Sequence, residues 1–144
     1  MAFHIRDATR ADHAVYARLF PELAVPDPVL SEERFAAEML PRTVVVEEGG
    51  LALGYGHYRV YGDLAHVAHV VADPHARGRG VGRSLMQQAE TEAYARGCVG
   101  LYLDTFDPGA AQFYARCGFA PFGQIEDFPP GFSRTFLYKK LFAR

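Results

Sequence analysis

Residues 77–83 read RGRGVGR, three arginines and three glycines in seven positions, leading into the helical-looking run 83-RSLMQQAETEAYARG-97. The first backbone N–H groups of a helix have no intrahelical acceptor, and the helix dipole adds partial positive charge there. Glycines at 78, 80 and 82 let an oxygen approach that backbone with no Cβ in the way. Arg77, Arg79 and Arg83 add charged, fork-shaped donors. The chemistry implied is binding of an anion large enough to touch several consecutive amides. Two nucleotide motifs do not fit: G-x-x-x-x-G-K-[ST] is absent. A G-x-G-x-x-G pattern begun at Gly78 meets Arg83 where its last glycine belongs, and begun at Gly80 it meets Leu85.

The stretch before the turn, 64-LAHVAHVVADPHA-76, carries proton-transfer candidates. In a regular strand His66 shares a face with Ala68, Val70 and Ala72, and His69 faces the other way with Val67 and Val71. A bulge would undo that parity. An ordinary imidazole titrates near about 6.5, so either histidine suits base chemistry at neutral pH. His57 and His75 read as strand-surface and loop residues. No three of the six histidines, with a cysteine or carboxylate, have metal-site spacing, so no metal is expected. Asp104 and Asp107 lie in the loop after a strand over 99–103, where Asp107 ahead of Pro108 also suits an Asx turn and a helix cap.

These residues must be positioned by a chain of 144 residues, which fits a single domain over 1–144. A net charge of -2 gives no basic footprint for nucleic acid. No apolar run approaches the roughly 18 residues of a membrane span, and the start MAFHIRDATRADH has no apolar signal region. Cys98 and Cys117 form no disulfide framework and read as reduced, mostly buried thiols, so a cytoplasmic protein is expected. Alternation predicts strands at 3–7, 43–48, 51–62, 64–72 and 99–103, with a further extended segment over 119–127 and a strand over 134–142. Helices are predicted over 10–19 (Thr9 and Asp12 at its start), 32–39, 81–96 and 109–116. Gly49-Gly50 marks a tight hairpin, and Gly97 suits the position just past a helix end.

With these elements in order, Arg77, Gly80 and Gly82 form an R-x-x-G-x-G signature that resembles the GNAT superfamily of acetyl-CoA-dependent N-acetyltransferases. The segment 110-AAQFYARCGFAPFG-123 is similar to the family's A-x-x-F-Y-x-x-x-G-F block through Phe113, Tyr114, Gly118 and Phe119. The strand 67-VAHVVADP-74 resembles the family's fourth strand. The resemblance implies a mixed α/β (α+β) GNAT-like acyl-CoA N-acyltransferase fold. Its central sheet is mostly antiparallel, splayed between strands 4 and 5 and flanked by helices. The pyrophosphate of coenzyme A is expected on Arg79, Gly80, Val81, Gly82 and Arg83, with Arg77 and Gly78 shaping the turn. The pantetheine arm is expected to pair with Val70, Val71 and Ala72.

The resemblance also assigns Tyr114 as the acid that protonates the departing thiolate, with Phe113 beside the cofactor and Asp107 near a cofactor-contacting position. The glutamate common on the family's fourth strand is replaced by Ala68, which leaves His66, His69 or water as the base. An amine acceptor would suit the acidic and aromatic residues Phe20, Glu22, Tyr58, Tyr61, Glu126, Asp127 and Phe128, with 126-EDFPPGFSR-134 as a stiff flap or a plain turn. Small acceptors are favoured, with no nucleic-acid or membrane partner. The final segment 134–144, rich in aromatic and aliphatic residues, suggests a homodimer. The alternative function is a non-catalytic acetyl-CoA-binding sensor or regulatory module.

Overall fold

In the computed structural model, which describes residues 3–25 and 27–141, eleven regular elements follow in chain order. They are β1 (His4–Asp7), α1 (His13–Leu19), α2 (Glu32–Glu38), β2 (Thr43–Glu48), β3 (Leu51–Tyr61) and β4 (Leu64–Ala72), then α3 (Val81–Ala95), β5 (Gly100–Thr105), α4 (Pro108–Arg116), β6 (Ala120–Ile125) and β7 (Arg134–Lys140). The strand order is β1-β2-β3-β4-β5-β7-β6. This is the GNAT-like mixed α/β arrangement, a mostly antiparallel sheet with helices packed on it. The chain gathers into two compact units: residues through Tyr58 with His69–Ala89, and Arg59–Ala68 with the residues from Glu90 onward.

In the first unit, the helix expected from residue 10 opens as a 3-10 turn over Arg10–Asp12 and becomes α1 at His13. Asp12 accepts from the Thr9 amide at 2.7 Å and from both Arg6 terminal nitrogens at 2.7 and 2.9 Å, so this start is fixed by charge as well as by the cap. Tyr16, Leu19 and Phe20 pack with Phe35 and Met39 against Val45, Tyr55 and Val71. Tyr16 stacks on Phe35 at 5.1 Å, and its hydroxyl accepts from the Leu30 amide at 2.8 Å, which satisfies the buried phenol. Gly49 (φ 57°) and Gly50 (φ 81°) both adopt the left-handed conformation that a tight β2–β3 hairpin requires. On the part of α3 in this unit, Val81, Leu85, Met86 and Ala89 are buried, as their helical spacing predicts.

In the second unit, β4 and β5 run parallel over three pairs, from Leu64↔Gly100 to His66↔Tyr102. Beyond His66, β4 continues to Ala72 without a β5 partner in this ladder. β7 pairs antiparallel with both β5 and β6. The last strand therefore closes the protein's own sheet, and β6, exposed along its whole length, is the edge. β6 is shorter than the extended segment expected over 119–127. β7 ends at Lys140, and the expected strand residue Phe142 lies outside the described residues. Lys139 donates to the Cys117 carbonyl at 2.7 Å at the end of α4, where a cation complements the helix dipole.

Candidate functional site

The strand-to-helix turn is built as its glycines require. Gly78 (φ 81°) and Gly80 (φ 87°) are left-handed, and a Cβ on either would meet nothing within 4 Å. That open space suits an oxygen-rich ligand. The Gly80 carbonyl accepts the Ser84 amide at 3.0 Å as α3 begins, which leaves the amides from Gly80 to Arg83 outside the helical ladder. Two of the turn's arginines are held by carboxylates: Arg77 by Glu22 at 3.1 Å and Arg79 by Glu48 at 2.6 Å. Arg83 is exposed. Glu22, expected on the acceptor side, is thus a partner of the glycine-rich turn.

Upstream, Asp73 anchors the end of β4. Its amide donates to Leu53 at 2.7 Å, and its carboxylate accepts from the His75 amide at 2.9 Å and from Arg18. Those contacts, the His75 amide foremost, hold its carboxyl below the usual range. The Asp-Pro pair was the available sequence signal for this role. Gly54 is another residue that sequence reasoning missed. A Cβ there would stand 2.4 Å from the Val71 carbonyl oxygen and 2.9 Å from Val81, so β4 and the start of α3 approach β3 at a distance that only glycine permits. Glycine inside a strand was the signal.

The two β4 histidines have different surroundings. His69 lies in the first unit. Its Nδ1 is 3.4 Å from the Tyr55 hydroxyl, and its ring centroid lies 5.4 Å from those of Phe20 and His57. His57 was expected on a strand surface but is only 1% exposed. The Thr43 hydroxyl donates to the Met39 carbonyl at 2.6 Å, so at 3.0 Å the His57 Nδ1 must be the donor to Thr43. His66 lies in the second unit, stacked on Tyr102 at 4.7 Å, with Nε2 3.5 Å from Asp104 Oδ1. Val71 is buried, whereas Val70 and Ala72 are half-buried.

Tyr114 sits half-buried on α4, its ring 5.2 Å from Phe113 and 6.1 Å from Phe119. Burial pushes its phenol up to about 12, with help from Cys117 and Asp104. Among the described residues no hydrogen bond takes its hydroxyl. Asp107, a candidate cofactor contact, caps α4: its Oδ1 accepts from the Gly109 amide at 2.9 Å. Its side chain is committed to the helix start.

The expected acceptor residues are divided between the two units. Phe20 belongs to the first unit's core. Tyr58 is also buried, and strand alternation puts it on the Gly54/Gly56 side of β3, the side that meets Val81 and Leu85. In the second unit Tyr61 and Phe128 are exposed, as is Glu126. Asp127 (φ 55°) accepts from the Gly131 amide at 3.3 Å; across a compact turn the Phe128 amide donates to the Phe132 carbonyl at 3.0 Å and the Phe132 amide to the Pro129 carbonyl at 2.9 Å. Arg134 clamps this turn, with its guanidinium 4.1 Å over Phe128 and Nε donating to the Phe128 carbonyl at 3.1 Å. Asp104 and Arg134, paired at 3.0 Å, went unassigned because 30 residues separate them in sequence.

A model described as the acetyltransferase (GNAT) family matches residues 9–119, a span that takes in both the glycine-rich turn and the α4 block. The chain belongs to this family. Glucosamine 6-phosphate N-acetyltransferase 1 of Oryza sativa subsp. japonica is 31% identical over 136 residues, covering 82% of this chain and 81% of that protein. Acetyltransferase Atu2258 of Agrobacterium fabrum is 42% identical over 64 residues, 44% of this chain, and the match spans only 47% of that protein's length. The crystal structure of the ribosomal-protein-S18-alanine N-acetyltransferase from Escherichia coli superposes with a TM-score of 0.83. It is 17% identical, with 99% of this GNAT chain and 96% of that chain covered, and it shares the fold.

Proposed function

We propose that the protein transfers the acetyl group of acetyl-CoA directly to a primary amine of a small acceptor, within a ternary complex. The observation that carries the donor half is the opening of α3, with two left-handed glycines facing open space ahead of amides that lack helical acceptors. In this reading the amides of Arg79 to Arg83 hold the pyrophosphate, and Arg77 and Gly78 shape the turn. The backbone of Val70 to Ala72 pairs with the pantetheine amides as a strand would. An N–H of Val70 or Val71 polarises the thioester carbonyl.

His66 or His69, or a water, takes a proton from the substrate ammonium. The amine lone pair then forms the C–N bond as the C–S bond breaks. Tyr114 protonates the departing thiolate and regains a proton from the nitrogen that has become an amide, so one proton in all goes to solvent. A phenol with its value pushed up to about 12 is fully protonated at neutral pH, the state an acid needs. Small acceptors are favoured by the rice relative, whose name gives a sugar amine as its substrate. Exposed Tyr61, Glu126 and Phe128 suit a cationic amine beside an apolar wall.

Thiol release from acetyl-CoA, measured with glucosamine 6-phosphate, spermidine, lysine and a peptide with N-terminal alanine, tests the reading. Release is expected with a small amine and not with the peptide. Gly82→Asp should abolish acetyl-CoA binding by calorimetry, because its carboxylate would occupy phosphate space. Donor binding without release from any amine would instead mark a non-catalytic acetyl-CoA-binding module. Near wild-type affinity in folded Gly82→Asp would overturn the donor placement.

A further inference from the structure

We propose that Asp104 is a positioning residue for acetyl transfer: held by Arg134, it fixes His66 in the Nε2–H tautomer with Nδ1 presented as the base, and it links that base to the 126–133 segment. The inference rests on the function proposed above, and all of its parts lie in the second unit.

A carboxylate only accepts hydrogen bonds, so the proton between His66 Nε2 and Asp104 Oδ1, 3.5 Å apart, belongs to the imidazole. That leaves the lone pair on Nδ1. The Tyr102 ring, stacked at an interplanar angle of 24°, restrains the plane of the imidazole. The other oxygen, Oδ2, accepts from Arg134 Nη1 at 3.0 Å. The three side chains are only 22%, 21% and 18% exposed, so water screens this chain of charges weakly. The His66 hydrogen bond first, and the Arg134 charge after it, hold the Asp104 carboxyl below the usual range against its burial. A proton taken by Nδ1 would therefore create an imidazolium facing a carboxylate that is already charged.

Arg134 extends the chain outward. Its Nε donates to the Phe128 carbonyl at 3.1 Å, and its guanidinium lies 4.1 Å from the Phe128 ring and 5.6 Å from Phe106, which in turn meets Phe132 at 5.5 Å. One arginine thus holds both the carboxylate and the flap. The groups facing this pair are Arg134 from β7, Tyr102 from β5, Tyr114 from α4 and, through Tyr102, Tyr61 from β3. The Asp104 charge also opposes ionisation of Tyr114. The same carboxylate faces the base and favours the neutral form of the acid.

The test is nitrogen-15 NMR of the His66 ring in the unliganded protein, joined to steady-state kinetics with acetyl-CoA and the amine panel. Wild type should show the Nε2–H tautomer, and Asp104→Asn a mixture of both. That substitution should lower kcat on the order of 10-fold or more, with KM for acetyl-CoA within about twofold. Asp104→Glu should recover part of the loss, and in a His66→Gln background Asp104→Asn should cost little further. A wild-type His66 protonated on Nδ1, or fully additive losses, would overturn the inference. The wild-type tautomer needs no variant to fold and no turnover, so it separates this failure from inactivity with every amine, which would instead sink the acetyl-transfer reading.

Discussion

Tyr114 combines a desolvated phenol with a hydroxyl that no described residue takes up, so its proton is available to a ligand. Tyr114→Phe keeps the ring packed against Phe113 and Phe119 and removes only that hydroxyl. In the proposed reaction kcat should fall by roughly 100-fold or more, the scale of a positioned general acid. Donor affinity and melting temperature should barely move. Steady-state rates under rate-limiting chemistry check this, and a variant within about threefold of wild type would remove Tyr114 from the acid role. A second residue-scale prediction concerns Asp12. The Arg6 hydrogen bond, opposed by burial and aided by the Thr9 amide, lowers its folded-state carboxyl value. A depressed carboxyl stabilises the fold above its unfolded value of about 3.9, and that contribution is lost as pH falls through the folded value. Asp12→Asn should therefore cost about 2 kcal/mol at pH 7, with the gap to wild type closing in strong acid. Denaturant melts across pH measure it, and a gap independent of pH would contradict the assignment.

At the scale of elements, the close crossing at Gly54 is the most constrained feature near the turn. An added methyl would press on the Val71 carbonyl at 2.4 Å, a backbone atom that moves only with its strand. Gly54→Ala should destabilise by about 1–3 kcal/mol. It should also weaken acetyl-CoA binding through the displaced β4 backbone, whereas Gly49→Ala, with nothing within 4 Å, would strain only its own left-handed turn. Thermal melts and calorimetry on both variants distinguish local turn strain from displacement of β4. Wild-type donor affinity in Gly54→Ala would show that β4 can shift without consequence for the ligand.

For the molecule as a whole, the expectation of a homodimer moves from the last strand to the sheet edge. β7 has partners on both sides, while β6 exposes Phe122 (63%) and Ile125 (48%) beside unpaired backbone. Exposed apolar edges are surfaces that chains pair or cover. A species of twice the chain mass is expected by light scattering at micromolar concentration, and Phe122→Lys should shift it toward the monomer. A wild-type protein that stays monomeric throughout would assign the edge to something other than self-association.

The sequence by itself determined the local features: the β4 span at 64–72, the Gly49-Gly50 hairpin, the start of α3 at Val81 and the two motif blocks. Each depends on residues a few positions apart, where turn chemistry and periodicity act directly. It left Asp107 open between cofactor contact and helix cap, and the structure shows the cap. It misplaced His57 at a surface, because residue type alone does not reveal what another element will cover. Only tertiary structure decided that Glu22 and Glu48 hold the arginines of the turn, that Gly54 underlies Val71, and that Asp104 joins His66 to Arg134. Those contacts bring together groups 17 to 55 residues apart, and strand order and packing create them rather than any local preference of the chain.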